Sequence, residues 1–506
     1  MKHLFAILLA ALLASCQSPT YDTIIKGATV YDGTGVDGVV TDVGIKGDSI
    51  AAMGDLSDAR SLVKVDGRNL ALAPGFIDAH SHHDRDLTEV NGAAAVVSQG
   101  ITTIVVGQDG GSEVPLGPYF KQLTDQPVAI NLASYAGHNS IRYRVLGDNY
   151  KRKATPAEID SMKSILRHDM EAGALGLSTG LEYDPGIYSS KEEVLDLARV
   201  AAEFQGRYIS HLRSEDRYFW DALQEIIQIG RETDMPVQIS HFKLAMRGIW
   251  GKADSTLALL DKAREDGVNI TADVYPYTYW SSTVRVLFPD RNFNDVNEAR
   301  FILREVTTPE GIIFSNYEPN PAYNGRSLQW VADQLKMDPA SALIEVVKQL
   351  DQCDKQKGDC DGSIVATSMD EADVVKLLQW PLSGICSDGA STGRHPRGFG
   401  AFTRLLSHYV RETSALSLPM AIHKMTARTA EQLGIENRGT IATGNYADLV
   451  LFDPATVADQ STIAEPQRQS VGIQMVWVNG KVVFENGKTT AAKPGKVLRR
   501  AETTFD

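Results

Sequence analysis

Cysteine is scarce in this chain, with only four in 506 residues, and positive charge is in deficit. So few cysteines exclude a fold that is held together by a disulfide framework. Acidic residues outnumber basic ones by 64 to 50, which gives a net charge of −14. There is also no long basic run, and because phosphate contacts dominate nucleic-acid affinity, no nucleic-acid partner is expected.

Long apolar stretches are missing as well. The run over residues 4–14 is shorter than the roughly 20 residues that a membrane-spanning helix needs, so a polytopic membrane protein is excluded. An apolar content of 43% and a charged content of 23% are ordinary for a globular protein. A disordered chain is therefore excluded too.

The amino terminus has the features of an export signal. Lys2 precedes the short apolar run, and small residues follow it. Residues 13–16, Leu-Ala-Ser-Cys, resemble a bacterial lipobox, which implies removal of residues 1–15 and lipid on the sulfur of Cys16. Gln17 after the cysteine favours the periplasmic side of the outer membrane, so we expect a lipid-anchored protein of the bacterial cell envelope. A plain secretory peptide with an incidental cysteine is the alternative.

The two ends of the chain have similar sequence patterns. Short alternating apolar runs, separated by glycines and Asp-Gly pairs, occupy residues 22–73 and return near the carboxyl end. This pattern is typical of small antiparallel sheets. We predict one small β domain built from residues 16–73 and 437–506, into which the middle of the chain is inserted.

The middle of the chain, residues 74–436, alternates apolar runs with stretches of helical period. The candidate strands begin at Gly75, Thr102, Ala129, Ala174, Tyr208, Val237, Asn269 and Ser383. Eight strand–helix repeats are what a (β/α)8 barrel requires. The last strand is delayed by an insertion at about residues 288–376, for which a lid or subdomain beside the site is expected. An open doubly wound sheet is the competing architecture.

Metal-binding side chains fall at the ends of several predicted strands. His80 and His82 end the first strand, and residues two apart on a strand point to the same face. His211 and His241 end two later strands, and Asp388 ends the last. In a barrel these ends meet at one mouth, where imidazole and carboxylate groups can hold a divalent cation.

These motifs resemble those of the metal-dependent amidohydrolase superfamily, and more narrowly the N-acyl-D-amino-acid deacylase, or D-aminoacylase, family. The resemblance starts from Pro-Gly-Phe-Ile-Asp-Ala-His-Ser-His at residues 74–82 and covers nearly the whole chain from residue 21. It continues through residues 101–107, 137–142, 173–186, 211–215, 273–277, 387–389, 395–400 and 409–412. The resemblance implies a (β/α)8 TIM barrel with a small β-sandwich domain made from both chain ends.

One position departs from the family pattern. Where the family usually has Gly-Asn-Cys-Gly with a thiolate ligand, this chain has Gly-Gln-Asp-Gly at residues 107–110, so Asp109 takes the place of the cysteine. A carboxylate also binds or bridges zinc, although it is a harder ligand. We expect one or two divalent ions, zinc first and manganese or iron as alternatives. The resemblance assigns His211, His241 and Asp109 to one ion, and His80, His82 and Asp388 to a second position.

The resemblance implies hydrolysis of N-acyl-D-amino acids to a carboxylate and a free D-amino acid. A metal lowers the pKa of a bound water towards about 7, and Asp388 is expected to take the proton of that water and to deliver it to the leaving amine. Tyr183 resembles the family's tyrosine that polarises the scissile carbonyl. The expected ligands of the substrate's α-carboxylate are Lys243, Tyr275, Ser282 and Arg397.

The sequence allows two interpretations of the pocket that receives the substrate's side chain. Aromatic and aliphatic residues at 279–288 favour a neutral, apolar D-residue, whereas Arg285 in the same segment could meet an acidic one. A dipeptidase or cyclic-amide hydrolase on the same barrel is the enzymatic alternative. Such relatives commonly use a carboxylated lysine, and no lysine stands at residues 178–180, the end of the fourth strand. A lipid-anchored protein that only binds acyl-amino acids is the non-enzymatic alternative.

The three remaining cysteines carry weaker expectations. Cys353 and Cys360 flank a polar stretch and could pair in an oxidising compartment. Cys386 lies in an apolar run and is expected to be a small buried side chain.

Overall fold

The structure, a computed structural model, describes residues 20–87 and 93–500. The predicted signal segment and Cys16 lie outside these residues. Within the two described ranges, no helix combines the length and the apolar character that crossing a membrane requires.

The strands are named here in chain order. They are β1 Tyr21–Val30, β2 Val39–Lys46, β3 Ser49–Gly54, β4 Ser61–Asp66, β5 Ala71–Pro74, β6 Phe76–Asp78, β7 Ile101–Val106, β8 Asn131–Ser134, β9 Ala136–Gly137, β10 Gly176–Gly180, β11 Arg207–His211, β12 Val237–Ile239, β13 Ile270–Val274, β14 Tyr279–Thr283, β15 Ile312–Tyr317, β16 Gly362–Thr367, β17 Ser383–Ile385, β18 Leu449–Phe452, β19 Ile473–Val478, β20 Lys481–Glu485 and β21 Lys488–Thr489.

The α-helices of the described residues follow the same order. They are α1 Ala94–Val97, α2 Leu116–Asp125, α3 His138–Leu146, α4 Pro156–Glu171, α5 Lys191–Glu203, α6 Phe219–Thr233, α7 Ala253–Glu265, α8 Val296–Phe301, α9 Leu328–Leu335, α10 Pro339–Lys357, α11 Glu371–Gln379, α12 Arg397–Arg404, α13 Leu418–Met425 and α14 Ala427–Leu433. Two of them, α4 and α5, begin at hydroxyl caps, because Thr155 and Ser190 each accept a hydrogen bond from the backbone amide three residues on.

A closed (β/α)8 barrel forms the centre of the molecule, so the predicted barrel is confirmed and the open sheet is wrong. Parallel pairing runs from β6 through β7 to β8, and from β9 through β10, β11, β12 and β13 to β17. Only Tyr135 separates β8 from β9, so these two pieces act as one third strand. The amide of Asp388 donates to the carbonyl of His80 at 2.9 Å and closes the ring between the last and first strands.

Both ends of the chain meet in a second sheet. It has nine strands in the order β21-β20-β19-β18-β5-β1-β2-β3, with β4 paired to β1. The pairing of β18 with β5 joins the carboxyl-terminal strands to the amino-terminal ones. The buried residues of this sheet form two sets, since one face packs against the barrel core and the other forms a smaller core of its own. The β-sandwich domain built from both ends is therefore present as expected.

The carboxyl-terminal tail does not stay with this sheet. Leu132 of barrel strand β8 donates to the carbonyl of Lys496 at 3.0 Å, and Leu498 donates back to Leu132 at 2.8 Å. The amide of Arg500 reaches Gly173 in the same way. The prediction that all of residues 437–506 belong to the β domain is thus wrong for its last described part, because the tail satisfies backbone groups of the barrel instead.

The insertion is a compact unit with its own core. Strands β14, β16 and β15 form a three-stranded antiparallel sheet, against which α8, α9 and α10 pack. The predicted bounds of about 288–376 are shifted, since the unit runs from β14 to β16. At its other end α11 packs against α7 and β17, so it belongs to the barrel. Cys353 and Cys360 form a disulfide within the unit, and Cys386 is buried, as expected.

A buried polar cluster joins the sheet to the barrel. Asp448, just before β18, accepts hydrogen bonds from the amide of Asn479 at 2.7 Å and from the side chain of Asn131, the first residue of β8, at 3.0 Å. Its other partner is the guanidinium of Arg438, and the side chains of both charged residues are only 3% exposed. The carboxylate of Asp448 therefore links the two domains through Asn131, and the ion pair with Arg438 holds that carboxylate in place.

We expect Asp448→Ala to cost about 3–5 kcal/mol of stability, because it leaves the Arg438 guanidinium buried without its carboxylate. Thermal unfolding of the purified protein measures the effect. Asp221→Ala removes an exposed carboxylate on α6 and serves as the control, with an expected change within about 0.5 kcal/mol. Equal midpoints for the two variants would contradict the anchoring role.

Candidate metal centre

Six side chains meet at the mouth of the barrel, which we define as the carboxyl-terminal ends of its strands. They come from the ends of five strands and the loops that follow: His80 and His82 after β6, Asp109 after β7, His211 on β11, His241 after β12 and Asp388 after β17. All six residues predicted as metal ligands are therefore neighbours, although no strand carries more than two of them.

The first group of ligand atoms contains two histidines and two carboxylates. The Nε2 atoms of His80 and His82 are 3.4 Å apart. Oδ2 of Asp109 lies 3.2 Å from Nε2 of His82 and 3.4 Å from Nε2 of His80. Oδ1 of Asp388 lies 3.4 Å and 3.6 Å from the same two nitrogens.

The second group uses the other oxygen of Asp109. Oδ1 lies 3.1 Å from Nε2 of His241 and 3.9 Å from Nδ1 of His211, and these two nitrogens are 3.0 Å apart. Each group has all its ligand atoms within 4.8 Å of one another. Asp109 thus faces the two groups with one oxygen each, which is the arrangement of a bridging carboxylate.

These spacings fit divalent ions. Four ligand atoms placed tetrahedrally about 2.0–2.1 Å from a zinc ion lie about 3.3–3.4 Å from one another. The distances of 3.2–3.6 Å in the first group match those edges. Burial opposes ionisation of Asp109, but His80 and His241 outweigh it and hold the pKa of this carboxyl well below its usual range. A charged carboxylate is the form that binds a metal.

Three of the six residues have a left-handed backbone. The φ angles are 53° at Asp109, 35° at His241 and 48° at Asp388, in a region that costs side-chain-bearing residues free energy. Hydrogen bonds hold two of these turns in place: the amide of His241 donates to Oδ1 of Asp273 at 2.7 Å, and that of Asp388 donates to His80. The surrounding strands therefore fix conformations that aim these side chains at the centre.

Two glutamates that sequence reasoning missed orient the histidines. Oε2 of Glu182 lies 2.9 Å from Nε2 of His211 and leaves Nδ1 facing the centre. Glu215 lies 3.2 Å from Nδ1 of His241 and leaves Nε2 facing the centre. Burial opposes ionisation of Glu215, but His211 and Lys243 outweigh it and lower its pKa to about 2. Such partners fix the orientation of ligating histidines.

The available sequence signal for these glutamates was weak. Glu215 ends the motif at residues 211–215 and Glu182 directly precedes Tyr183, but neither position has a metal-ligand spacing of its own. Their role depends on which ring nitrogen each histidine turns outward, and this is set by the fold.

The predicted substrate-binding residues also lie at the mouth, but two of them already have partners. Nζ of Lys243 is 2.7 Å from both oxygens of Glu215 and from Nδ1 of His241. Arg397 is 2.7 Å from Oδ2 of Asp388. The ring of Tyr275 lies between these two cations, 5.6 Å from Lys243 and 4.9 Å from Arg397, and its hydroxyl is buried without a partner among the described residues.

Tyr183 and Ser282 complete this set. The ring of Tyr183 lies 4.3 Å from that of His211, and burial together with nearby carboxylates raises the pKa of its hydroxyl well above the ordinary value. The hydroxyl therefore keeps its proton as a hydrogen-bond donor. Ser282 lies on β14, at the edge where the insertion covers the mouth.

The mouth opens into two connected chambers. The outer chamber is a cavity of about 720 Å³ that reaches His82, Asp109 and Asp388 from the solvent side. The inner chamber is smaller, about 40 Å³, and is reached by His211, His241, Lys243 and Arg397. Both chambers share Tyr183, Ser282, Asp388 and Arg397, so the metal centre lies where they join.

Arg285 does not line either chamber, contrary to one of the two interpretations of residues 279–288. Its guanidinium is bound by Asp351 at 2.6 Å and by Asp354, both on α10 of the insertion. Two carboxylates already neutralise this cation, and it is therefore unavailable to a substrate side chain. Trp280, Val286, Leu287 and Val306 form the apolar part of the inner chamber instead.

Comparisons with known proteins identify relatives of this chain. Residues 379–484 match the model of the Amidohydrolase family. Over 96% of its length the chain is 34% identical to a D-aminoacylase of Alcaligenes xylosoxydans xylosoxydans, of which it covers 99%.

Two solved structures are similar over 95% of the chain. One is a D-aminoacylase, with a TM-score of 0.84, 33% identity and 100% of that chain covered. The other is an N-acyl-D-glutamate deacylase from Bordetella bronchiseptica complexed with zinc and a phosphonate inhibitor that mimics the tetrahedral intermediate, with a TM-score of 0.84, 34% identity and 99% covered.

We expect Glu215→Gln to weaken zinc binding about 10–100-fold, because the amide no longer offers His241 and Lys243 a carboxylate. Competition with a chromophoric chelator measures the dissociation constant. Glu225→Gln is the matched control, since Glu225 pairs with Arg213 and touches none of the six ligands. A dissociation constant that Glu215→Gln leaves unchanged would show that Glu215 does not position the site.

Proposed function

Because this chain belongs to the D-aminoacylase family of metal-dependent amidohydrolases, we propose that it hydrolyses N-acyl-D-amino acids to a carboxylate and a free D-amino acid. The observation that carries the proposal is the position of Asp388. One of its oxygens faces the first ligand group and the other is held by Arg397, at the junction of the two chambers. A carboxylate there reaches both the reacting centre and the substrate's binding groups.

Zinc is the proposed metal, at one or two positions. The first ligand group would hold one ion and the second group the other, with Asp109 between them. A divalent ion in such a site lowers the pKa of a coordinated water towards about 7 and so supplies a nucleophile near neutral pH. Manganese and iron, which accept the same nitrogen and oxygen ligands, are the alternatives to zinc.

Asp388 is the proposed general base and acid. Arg397 and the histidines outweigh its burial and hold the pKa of its carboxyl below the usual range, so the side chain starts as a carboxylate. It accepts a proton from the attacking water and passes that proton to the nitrogen of the breaking amide bond. The second transfer is needed because an amide anion is a very poor leaving group.

Tyr183 acts on the scissile carbonyl, and the cations bind the α-carboxylate of the substrate. The protonated hydroxyl of Tyr183 donates to the scissile carbonyl oxygen, where negative charge develops. Arg397, Lys243 and Ser282, which line the inner chamber, bind the α-carboxylate, and Tyr275 supports them because its ring lies against both cations. This anchoring at one end places the carbonyl against the centre and leaves the D-side chain in the inner chamber.

The inner chamber favours a neutral, apolar D-residue. Its wall contains Trp280, Val286, Leu287 and Val306, which offer apolar surface to the substrate's side chain. N-acyl derivatives of D-leucine or D-methionine are therefore the proposed substrates, ahead of those of D-glutamate and D-aspartate.

The test is hydrolysis of paired N-acetyl-D- and N-acetyl-L-amino acids by protein that lacks residues 1–15, with zinc or manganese supplied. We expect release of D-leucine and D-methionine, little activity on the L-series, and a loss of about 10²–10⁴-fold in kcat for Asp388→Asn. Because Arg397 and Lys243 remain, the variant should still bind N-acetyl-D-leucine.

Two results would contradict the proposal. No turnover of the panel by metal-loaded protein would redirect the search to dipeptides and cyclic amides. Binding without turnover by the unaltered protein would instead favour a lipid-anchored binding protein.

The proposed location is the cell envelope, with a lipid on Cys16 as the sole membrane contact. The lipobox-like residues 13–16 and the export signal before them support this proposal. An enzyme held on the periplasmic side of the outer membrane would meet D-amino-acid derivatives released from cell-wall material.

Fractionation of a diderm bacterium that expresses the full chain tests this location. The unaltered protein should sediment with the membranes and require detergent for release, whereas Cys16→Ser should be soluble, because it lacks the sulfur to which the lipid is attached. Ser18→Ala is the control and should stay with the membranes. A soluble unaltered protein would support a plain secretory peptide instead.

A further inference from the structure

The outer chamber is lined by polar and charged residues to which the proposed reaction assigns no role. Its wall away from the metal centre contains many polar side chains beside apolar ones, and the third and eighth strands of the barrel are each followed by an arginine that reaches it: Arg144 on α3 and Arg394 in the loop before α12. Both arginines are exposed. An acetyl group would use none of these features.

The substrate's orientation decides which part of it meets this wall. Lys243 lies only in the inner chamber, together with the apolar wall proposed for the D-side chain. His82 and Asp109 of the centre open only to the outer chamber. A substrate whose α-carboxylate is bound inside must therefore project its acyl group outward, past the centre and towards Arg144 and Arg394.

Within residues 20–87 and 93–500, no residue is paired with the side chain of Arg144 or Arg394. Neither guanidinium makes a hydrogen bond, ion pair or ring contact there, whereas Arg291, near the same rim, is paired with Asp184 at 3.2 Å. Apart from Asp184, the carboxylates that the described residues contribute to the outer chamber are Asp109 and Asp388 of the centre. The rim thus offers two cations to whatever occupies the chamber.

Hydroxyl groups of the insertion also line the chamber. Ser281 and Thr283 on β14 and Ser363 on β16 reach it, and Thr283 pairs with Ser363 across the sheet. Val114, Pro185, Ala390 and the ring of Tyr143 add apolar surface. A long alkyl chain could contact that surface but would leave both guanidinium groups without a charged partner, so an anionic acyl group suits the chamber better than a fatty one.

We propose that the preferred substrates carry a negatively charged group on the acyl side of the scissile amide, held by Arg144 and Arg394. The chemical class is a half-amide of a dicarboxylic acid with an apolar D-amino acid. This inference rests on the proposed deacylase function and adds the identity of the acyl group. Hydrolysis then consumes one water, breaks the amide C–N bond and releases a dicarboxylate and a D-amino acid.

Three derivatives of the D-residue that ranks first in the N-acetyl panel, leucine in the expected case, test the proposal. N-succinyl and N-succinamoyl derivatives have the same size and differ by one negative charge, and an N-octanoyl derivative supplies an apolar chain. We expect kcat/KM to be about three- to tenfold higher for succinyl than for succinamoyl, mainly through KM, and lowest for octanoyl. The preference should shrink at 0.5 M NaCl, because salt screens exposed charges.

Variants assign the preference to the two arginines. In the Arg144→Ala, Arg394→Ala double variant the succinyl-to-succinamoyl ratio should fall to about one, whereas the corresponding lysine variants should keep most of it. Arg231→Ala is the control, since Arg231 lies at the carboxyl end of α6, away from the mouth, and should leave the ratio unchanged.

The outcomes distinguish failure of the acyl-group proposal from failure of the deacylase function on which it rests. Turnover of the N-acetyl compound with a ratio of one or less, or a ratio that survives the double alanine variant, would overturn the acyl-group inference alone. The arginines would then be solvated rim residues. Absence of turnover for every D-derivative would overturn the deacylase function, and the inference would fall with it.

Discussion

The carboxylate of Asp109 is the contact on which the rest of the site depends. One oxygen faces His80 and His82 and the other faces His241, so two ligand groups share a single side chain. Without that negative charge, four imidazoles would converge on a largely buried space with only Asp388 to balance a divalent ion. The left-handed backbone at Asp109, at a φ of 53°, is tolerated because the tight turn after β7 is the position from which both groups are reached.

Different parts of the fold supply the ligands, orient them and cover the site. Barrel strands supply the ligands at their carboxyl ends, and Glu182 and Glu215 hold the outer nitrogens of two histidines. The insertion then covers one side of the mouth and contributes hydroxyl groups and an apolar wall, which separates an inner chamber from an outer one. Chemistry is thereby fixed by the barrel, while the choice of substrate is set largely by the insertion and the mouth loops.

The sequence pattern was sufficient to predict the barrel and five of the six candidate ligands, because buried parallel strands have apolar sequences and these five residues stand at the ends of such runs. Asp109 was predicted only from the family resemblance. The sequence pattern was insufficient where a residue's partner is distant. Arg285 seemed available until the fold placed it against Asp351 and Asp354, and Glu215 acquires a role only through the ring nitrogen of His241. The sequence does not predict strand β14, because its residues are only partly buried and its partner strand β16 lies eighty or more residues further along the chain.

The most direct test of this account is a crystal structure of the zinc-loaded protein with anomalous diffraction measured on both sides of the zinc absorption edge. The account predicts an anomalous peak beside His211 and His241, beside His80 and His82, or at both positions, with an oxygen of Asp109 coordinated to every ion that is bound. Ions at these positions with Asp109 turned away from them, or ions bound elsewhere in the chain, would contradict the claim that this aspartate replaces the family's thiolate as a ligand.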